Sequence, residues 1–355
     1  MKPGKLLFLV IIAAVLVALA FWTSRRTQAA PPSMIGKQLL PQLALESVAR
    51  VEIARSGAPI EIVHGDDGWT VKNLFGFPAD VPKLQTALLA LAELKIGEIA
   101  RGVNIDTNAT LVDLQGASGK PLATLRLGPR SPASGMERPG SRQPVGRYVA
   151  IAGDSQVYRV KDGLEAFDGE PREWVNSQLL NLSSADIQAI ALTSSTGAVL
   201  TLFREGANLQ LLGISTNEEF DTSKSYGVES ALSYLTFTGV ADPKLDDAAA
   251  GLATPSIYRA KLKNGDLYTA RIGAAAANGD RYLRLEAMLA APGTNATAQA
   301  EHASHQAELD QKFKKWTYLV SDMTAENLTR TRAELVKPKV VASNTTTSAD
   351  APAAQ

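Results

Sequence analysis

Hydrophobic positions follow three different spacings along this chain of 355 residues. From Leu6 to Trp22 (LLFLVIIAAVLVALAFW) there is no alternation, because no side chain is charged or strongly polar. As a helix rising about 1.5 Å per residue, that run covers roughly 25 Å, close to the ~30 Å apolar core of a bilayer. Further on, the spacing is two. Val51 and Ile53, and later Ile190 and Leu192, alternate with polar neighbours and predict strands with one buried face. Between strands the spacing lengthens. Leu84, Leu88 and Leu91 form one helical stripe, with Asp80 as N-cap and Pro82 in the first turn. Val228, Ala231, Leu232 and Leu235 have the same period and predict a second helix.

The succession occurs twice. Val48–Gly57, Ile60–Val63 and Trp69–Val71 correspond to Ile187–Gly197, Val199–Phe203 and Leu209–Leu211. The later halves match more closely. Aligning Gly128 with Gly273 sets Arg126 on Arg271, and Ala123, Leu125 and Leu127 on Tyr268, Ala270 and Ile272. Arg147-Tyr148-Val149 then matches Arg281-Tyr282-Leu283, and Tyr158 matches Tyr318. Asn264-Gly265 is a strong two-residue hairpin turn signal. Length differences fall in loops, which accept insertions that sheets do not. Pro129–Gly146 is long where Ala274–Asp280 is short, and Leu285–Lys315 replaces a short turn.

The expected fold class is α+β: an N-terminal transmembrane helix followed by two tandem copies of an antiparallel-sheet-plus-helix domain. The expected parts are a head and anchor (1–24), a stalk (25–38) and a first repeat (39–162). A linking helix (163–178), a second repeat (179–322, insertion 285–315), a terminal helix (323–336) and a disordered tail (337–355) complete the chain. Asp162 and Asp322 read as helix caps.

Basic residues flank the apolar run: Lys2 and Lys5 before it, Arg25 and Arg26 after it. Thr27, Ala29 and Ala30 suit a signal-peptide cut, but the two arginines intervene and the run is long for a signal. An uncleaved anchor is expected, with the head inside and the body outside the cytoplasm, at a bacterial inner membrane.

Charge and composition narrow the function. The 36 basic and 36 acidic residues give no overall attraction to nucleic acid. The absence of cysteine excludes disulfides, thiol nucleophiles and thiolate metal sites. No G-x-S-x-G, P-loop or dinucleotide fingerprint occurs. Among three histidines, His302 and His305 share a helix face with Glu308, a spacing suited to a carboxylate–imidazole metal site. They lie in an Ala/Gln-rich insertion, where such residues ordinarily form a solvated helix, so no metal and no cofactor are expected. Arg130, Arg138 and Arg142 lie on the Pro/Gly-rich loop, with Arg147 at its exit. Four guanidiniums can meet an acidic partner, an anionic glycan or a lipid head; the plainer reading is a solvated loop. The repeated Arg126/Arg271 and Arg147/Arg281 are expected to pair with a fixed carboxylate or cap a sheet edge. The repeated tyrosines read as aromatics at the edge of the core.

The apolar N-terminal run, the strand-rich copies bearing Arg147-Tyr148-Val149 and Val157-Tyr158-Arg159-Val160, and the passage through Asp162, Trp174 and Leu179-Leu180 together resemble a known bacterial family. It is domain-of-unknown-function family 4340, and the resemblance covers roughly Leu39 to Val336. It implies an extracytoplasmic, membrane-associated protein linked with auxiliary subunits of gliding-type ABC export systems, and it brings no catalytic residues. The expected function is a membrane-anchored, non-enzymatic accessory protein of an ABC-type transport or envelope complex. Its partners would be inner-membrane transport or envelope proteins and, through Leu6–Trp22, the membrane itself, with no nucleic acid. The rivals are a binding module for an envelope polysaccharide or lipid, and a carboxylate-dependent hydrolase.

Overall fold

The computed structural model describes residues 34–339, apart from Ser56, Asp106 and 132–145. Strands form where apolar residues alternate. β1 (Arg50–Ala54), β2 (Ile60–Gly65), β3 (Gly68–Val71) and β4 (Phe77–Pro78) come first. Helix α1 (Val81–Ala92) follows and buries Leu84, Ala87, Leu88 and Leu91 along the predicted stripe. Then come β5 (Ile96–Ala100), β6 (Thr110–Gln115), β7 (Pro121–Ser131), β8 (Gly146–Ile151) and β9 (Val157–Val160).

The later chain runs β10 (Gln178–Leu180), β11 (Ile187–Thr193), β12 (Val199–Glu205), β13 (Asn208–Leu211) and β14 (Glu218–Phe220). Helix α2 (Thr222–Glu229) precedes β15 (Leu235–Thr236), β16 (Gly239–Val240), β17 (Ser256–Leu262), β18 (Leu267–Ala275) and β19 (Arg281–Met288). It closes with α3 (Ala296–Lys314), β20 (Tyr318–Val320), α4 (Asp322–Thr329), α5 (Arg332–Leu335) and β21 (Val336–Pro338).

Two compact units result. One takes the chain to Gly65 and Val81–Gly169; the other takes Asp66–Asp80 and the chain from Glu170 onward. In the first, the strands lie in the order β2-β1-β6-β7-β8-β9-β5. In the second, the order is β12-β11-β17-β18-β19-β20-β16, with β13 beyond β12. The two orders match strand for strand, and the pairings are antiparallel in both. The alternation decides which face is buried. Val51, Ile62, Val112, Leu125 and Val149 are wholly inside the first unit, and Ile187, Ile190, Leu202, Tyr258 and Leu283 inside the second. Helix α4 lies across β11, β17 and β18 and buries Ala325 and Leu328.

A glycine breaks the ladder at one matching place in each unit. The β7–β8 register shifts between Leu127 and Arg130, and the β18–β19 register shifts between Ile272 and Ala275. A Cβ on Gly128 would lie 2.6 Å from Ile105 Cγ2, and one on Gly273 would lie 2.1 Å from the Ala250 carbonyl oxygen. Both bulges therefore require a residue without a side chain.

Several expectations are corrected. Among the described residues no helix is long and apolar enough to cross a membrane. The longest of them, α3, has 19 residues and carries Glu301, Glu308, Asp310, Lys312 and Lys314, which a bilayer interior would penalise. The described helices thus supply no transmembrane helix, and no support for the single-pass inner-membrane placement or for the membrane as a partner. The stretch behind those expectations, Leu6–Trp22, lies outside the described residues. The fold as described is α+β, with antiparallel sheets and short helices.

The linking helix is instead two short 3-10 turns, Glu165–Asp168 and Pro171–Trp174. Gly169 and the residue preceding Pro171 interrupt a continuous helix. Helix α2 stops at Glu229, and Leu235 lies in a strand opposite Leu180. Of the expected stripe only Val228 is helical; Ala231 and Leu232 lie in the following turn and Leu235 in the strand. At the end of the expected stalk, Gly36 N–H donates to Ile96 O at 2.7 Å and Ile96 N–H to Lys37 O at 2.9 Å. At the start of the expected tail, Lys337 and Pro338 pair with β14. Asp322 opens α4, but the cap is Ser321.

The bulge glycines give a direct test. Gly273→Ala forces a carbon onto a backbone oxygen, so it should destabilise the second unit by about 2 kcal/mol or more. A urea midpoint equal to that of the parent would contradict the fold at this point.

Candidate functional site

The arginines singled out in the sequence divide three ways. Arg138 and Arg142 lie outside the described residues. Arg147, on β8, is only 4% exposed. Its Nε donates to Gly128 O at 2.8 Å, on the bulge of β7. Its Nη1 reaches the carbonyls of Gly163 and Leu164, each at 3.3 Å, and its Nη2 donates to Asp168 Oδ1 at 2.8 Å. Arg130 donates to the other carboxylate oxygen of Asp168 at 2.7 Å. One carboxylate is thus held between two guanidiniums, in the geometry of a charge-assisted clamp.

The turn carrying Asp168 is itself constrained. Leu164 is buried in a left-handed conformation (φ 50°), which a branched side chain adopts at a cost. Asp162 Oδ1 accepts its N–H at 2.7 Å, and Arg147 holds its carbonyl. Burial alone raises the Asp168 pKa, but hydrogen bonds from Arg147 and then Arg130, with their charges, outweigh it and hold the carboxyl below its ordinary value. Arg147 thus meets a fixed carboxylate, as was expected of the repeated strand arginines, and Arg130 shares that carboxylate.

The second unit repeats part of this device. Arg281 Nε and Nη2 donate to Gly273 O at 3.1 and 2.9 Å, the counterpart of Arg147 on Gly128. After β20 the chain forms α4 in place of a 3-10 turn, and Arg281 has no ion pair among the described residues. Arg271 pairs with Glu286 on β19 at 3.2 Å, as a strand arginine was expected to do. A second buried guanidinium, Arg204, gathers Ile187 O, Ser184 O and Ala207 O and pairs with Glu229. Of the repeated tyrosines, Tyr148 and Tyr282 are half-buried, while Tyr158 and Tyr318 are core residues. Tyr158 is 2% exposed and donates to Asp154 at 2.6 Å; burial, then that hydrogen bond, push its pKa up to about 12. Tyr318 is buried and donates to Lys312 O.

His302, His305 and Glu308 all lie on α3. His302 is half-buried, while His305 and Glu308 are exposed. Among the described residues no group of three or more potential ligands is placed to hold a metal ion.

Glu308 belongs to a different feature. A groove of about 340 Å³ lies along the end of α3, in the second unit. Its apolar wall is Phe77 and Pro78 of β4 with Trp316 and Tyr318. Phe77 packs against Trp316 and Phe237, with ring centroids 5.0 and 5.2 Å apart. Its rim carries Asn176, Glu308, Gln311, Lys312 and Lys315. Lys312 Nζ donates to Gln178 O at 2.8 Å, and burial lowers its pKa. Lys315 Nζ lies 5.3 Å from the centre of the Trp316 ring. The sequence reading missed these residues. The only local signal was Lys312-x-x-Lys315-Trp316 at the end of a supposedly solvated insertion, and Phe77 is more than two hundred residues away in the chain.

Fold and site define a protein of two antiparallel α+β sheets sharing one strand order. The chain belongs to the family described as Domain of unknown function (DUF4340), whose model matches residues 69–255. The match is narrower than the expected Leu39 to Val336; it starts in the β3–β4 hairpin and stops just before β17. No curated protein and no solved structure matches the chain.

The clamp has a pH signature. Asp168 has a folded pKa below its unfolded value of about 3.9, so its stabilisation is complete above that value and is lost as pH falls through the folded pKa. Replacing Asp168 by Asn should flatten the stability–pH curve of the first unit below about pH 4. Replacing Arg147 by Ala should cost roughly 3 kcal/mol, because a buried pair loses one member. Denaturant midpoints measured between neutral and acid pH check both; curves that stay parallel in the parent and Asp168→Asn would contradict the clamp.

Proposed function

We propose that this protein is a non-enzymatic accessory protein that works by binding another macromolecule, and that its two sheets descend from one duplicated unit. What supports this reading is how charge is used. Arg130, Arg147 and Asp168 in the first unit, and Arg204 and Glu229 in the second, fix turns and bulges, while the groove beside α3 is a formed and accessible concavity. Guanidiniums that hold carbonyls serve a rigid framework, and a rigid framework suits presentation of a surface.

The finer reading, which comes from the family resemblance, is that the bound macromolecule belongs to an ABC-type transport complex. No particular observation favours the polysaccharide-binding reading, since Arg130 and Arg147 are already engaged by Asp168.

Crosslinking of the full chain in its native cells, followed by identification of the captured protein, tests the reading. A reproducible heterologous partner is expected, and an ABC permease or ATPase would support the finer form. Recovery of crosslinks only within the chain, or a hydrolytic activity of the purified protein abolished by replacing one carboxylate, would contradict it.

A further inference from the structure

The groove beside α3 has a chemistry narrower than general protein binding. Lys314 is paired one turn back to Asp310 at 2.6 Å. The two lysines on either side are not: among the described residues neither Lys312 nor Lys315 forms an ion pair. Glu308 stands four residues before Lys312, the favourable helix spacing. Even so, the Lys312 ammonium turns away to the Gln178 carbonyl and loses part of its hydration. Two ammoniums without counter-ions thus flank an apolar slot.

The slot is narrow. Phe77 is 8% exposed, Trp316 7% and Tyr318 0%, so none presents an open ring face. Sugar rings bind by stacking on exposed aromatic faces, whereas a single apolar side chain can enter between ring edges. Gln311 on the rim offers an amide donor and acceptor, and Asn176, whose Oδ1 accepts from Gln178 N–H at 3.0 Å, offers its amide donor, which suits a peptide backbone. A volume of about 340 Å³ accommodates a few residues of extended chain.

We propose that this groove binds an extended acidic segment of a partner protein. A carboxylate of that segment meets Lys312 and Lys315, and a neighbouring aromatic or aliphatic side chain enters the slot against Phe77 and Trp316. The proposal rests on the accessory reading above and names its site and the partner's chemistry.

The test uses the purified full chain and a fluorescein-labelled pentapeptide with glutamates on both sides of a central phenylalanine. A peptide with lysines in place of the glutamates is the control, and an oligogalacturonate supplies the polysaccharide alternative. The acidic peptide should bind and change tryptophan emission, and the basic peptide should not. The double variant Lys312→Gln/Lys315→Gln, whose fold is checked by its urea midpoint, should bind at least about tenfold more weakly. No binding of the acidic peptide below about 1 mM, or equal binding by the double variant, overturns the proposal. Preferential binding of the oligogalacturonate, lost in the double variant, also overturns it. Crosslinking separates the two levels. If the double variant still captures the native partner, the groove assignment falls and the accessory reading stands. If the parent captures no partner yet binds the peptide, the reverse holds.

Discussion

A guanidinium buried beside a glycine bulge is the constraint from which the architecture of the first unit follows. Burying Arg147 costs several kcal/mol unless its donors are satisfied. They are satisfied by three carbonyls and one carboxylate, drawn from β7 and from the turn that ends the unit. The bulge at Gly128 turns a carbonyl away from the ladder, Arg147 takes it, and the same side chain then fixes Leu164 in its left-handed conformation. Packing, register and chain direction meet at one side chain.

The second unit keeps the bond between arginine and bulge glycine but not the counter-charge. Arg281 reaches Gly273 O, and the chain after β20 builds α4 where the first unit builds an acidic turn. Electrostatic fixation is replaced by apolar packing, because α4 buries Ala325 and Leu328 across three strands. One framework thus has two ways of closing, and the looser charge requirement leaves the second unit free to differ along α3 and the groove.

Much of the fold was legible in the sequence, since alternation and bulge glycines are local signals. Gly128 aligned with Gly273, and Arg147 with Arg281, because a bulge needs a missing side chain and its freed carbonyl needs a donor. The linking helix was misread because Asp162 read as a helix cap, while Gly169 and Pro171 interrupt the run it would have opened. The stripe ending at Leu235 was misread because a helix and a following strand can share one spacing. A carboxylate partner was expected for Arg147 but could not be named, nor its sharing with Arg130 foreseen, because Asp168 is distant in sequence. The groove was not legible at all: Phe77 and Trp316 meet only through tertiary packing, in which β4 joins the unit built from the later chain.

The claim that Arg147 ties the bulge to the closing turn is tested most directly by hydrogen–deuterium exchange on the parent and on Arg147→Met. If the tie is real, exchange should rise together at the β7–β8 bulge and across Gly163–Asp168, while the second unit is unchanged. A variant whose closing turn stays as protected as the parent's would contradict the account.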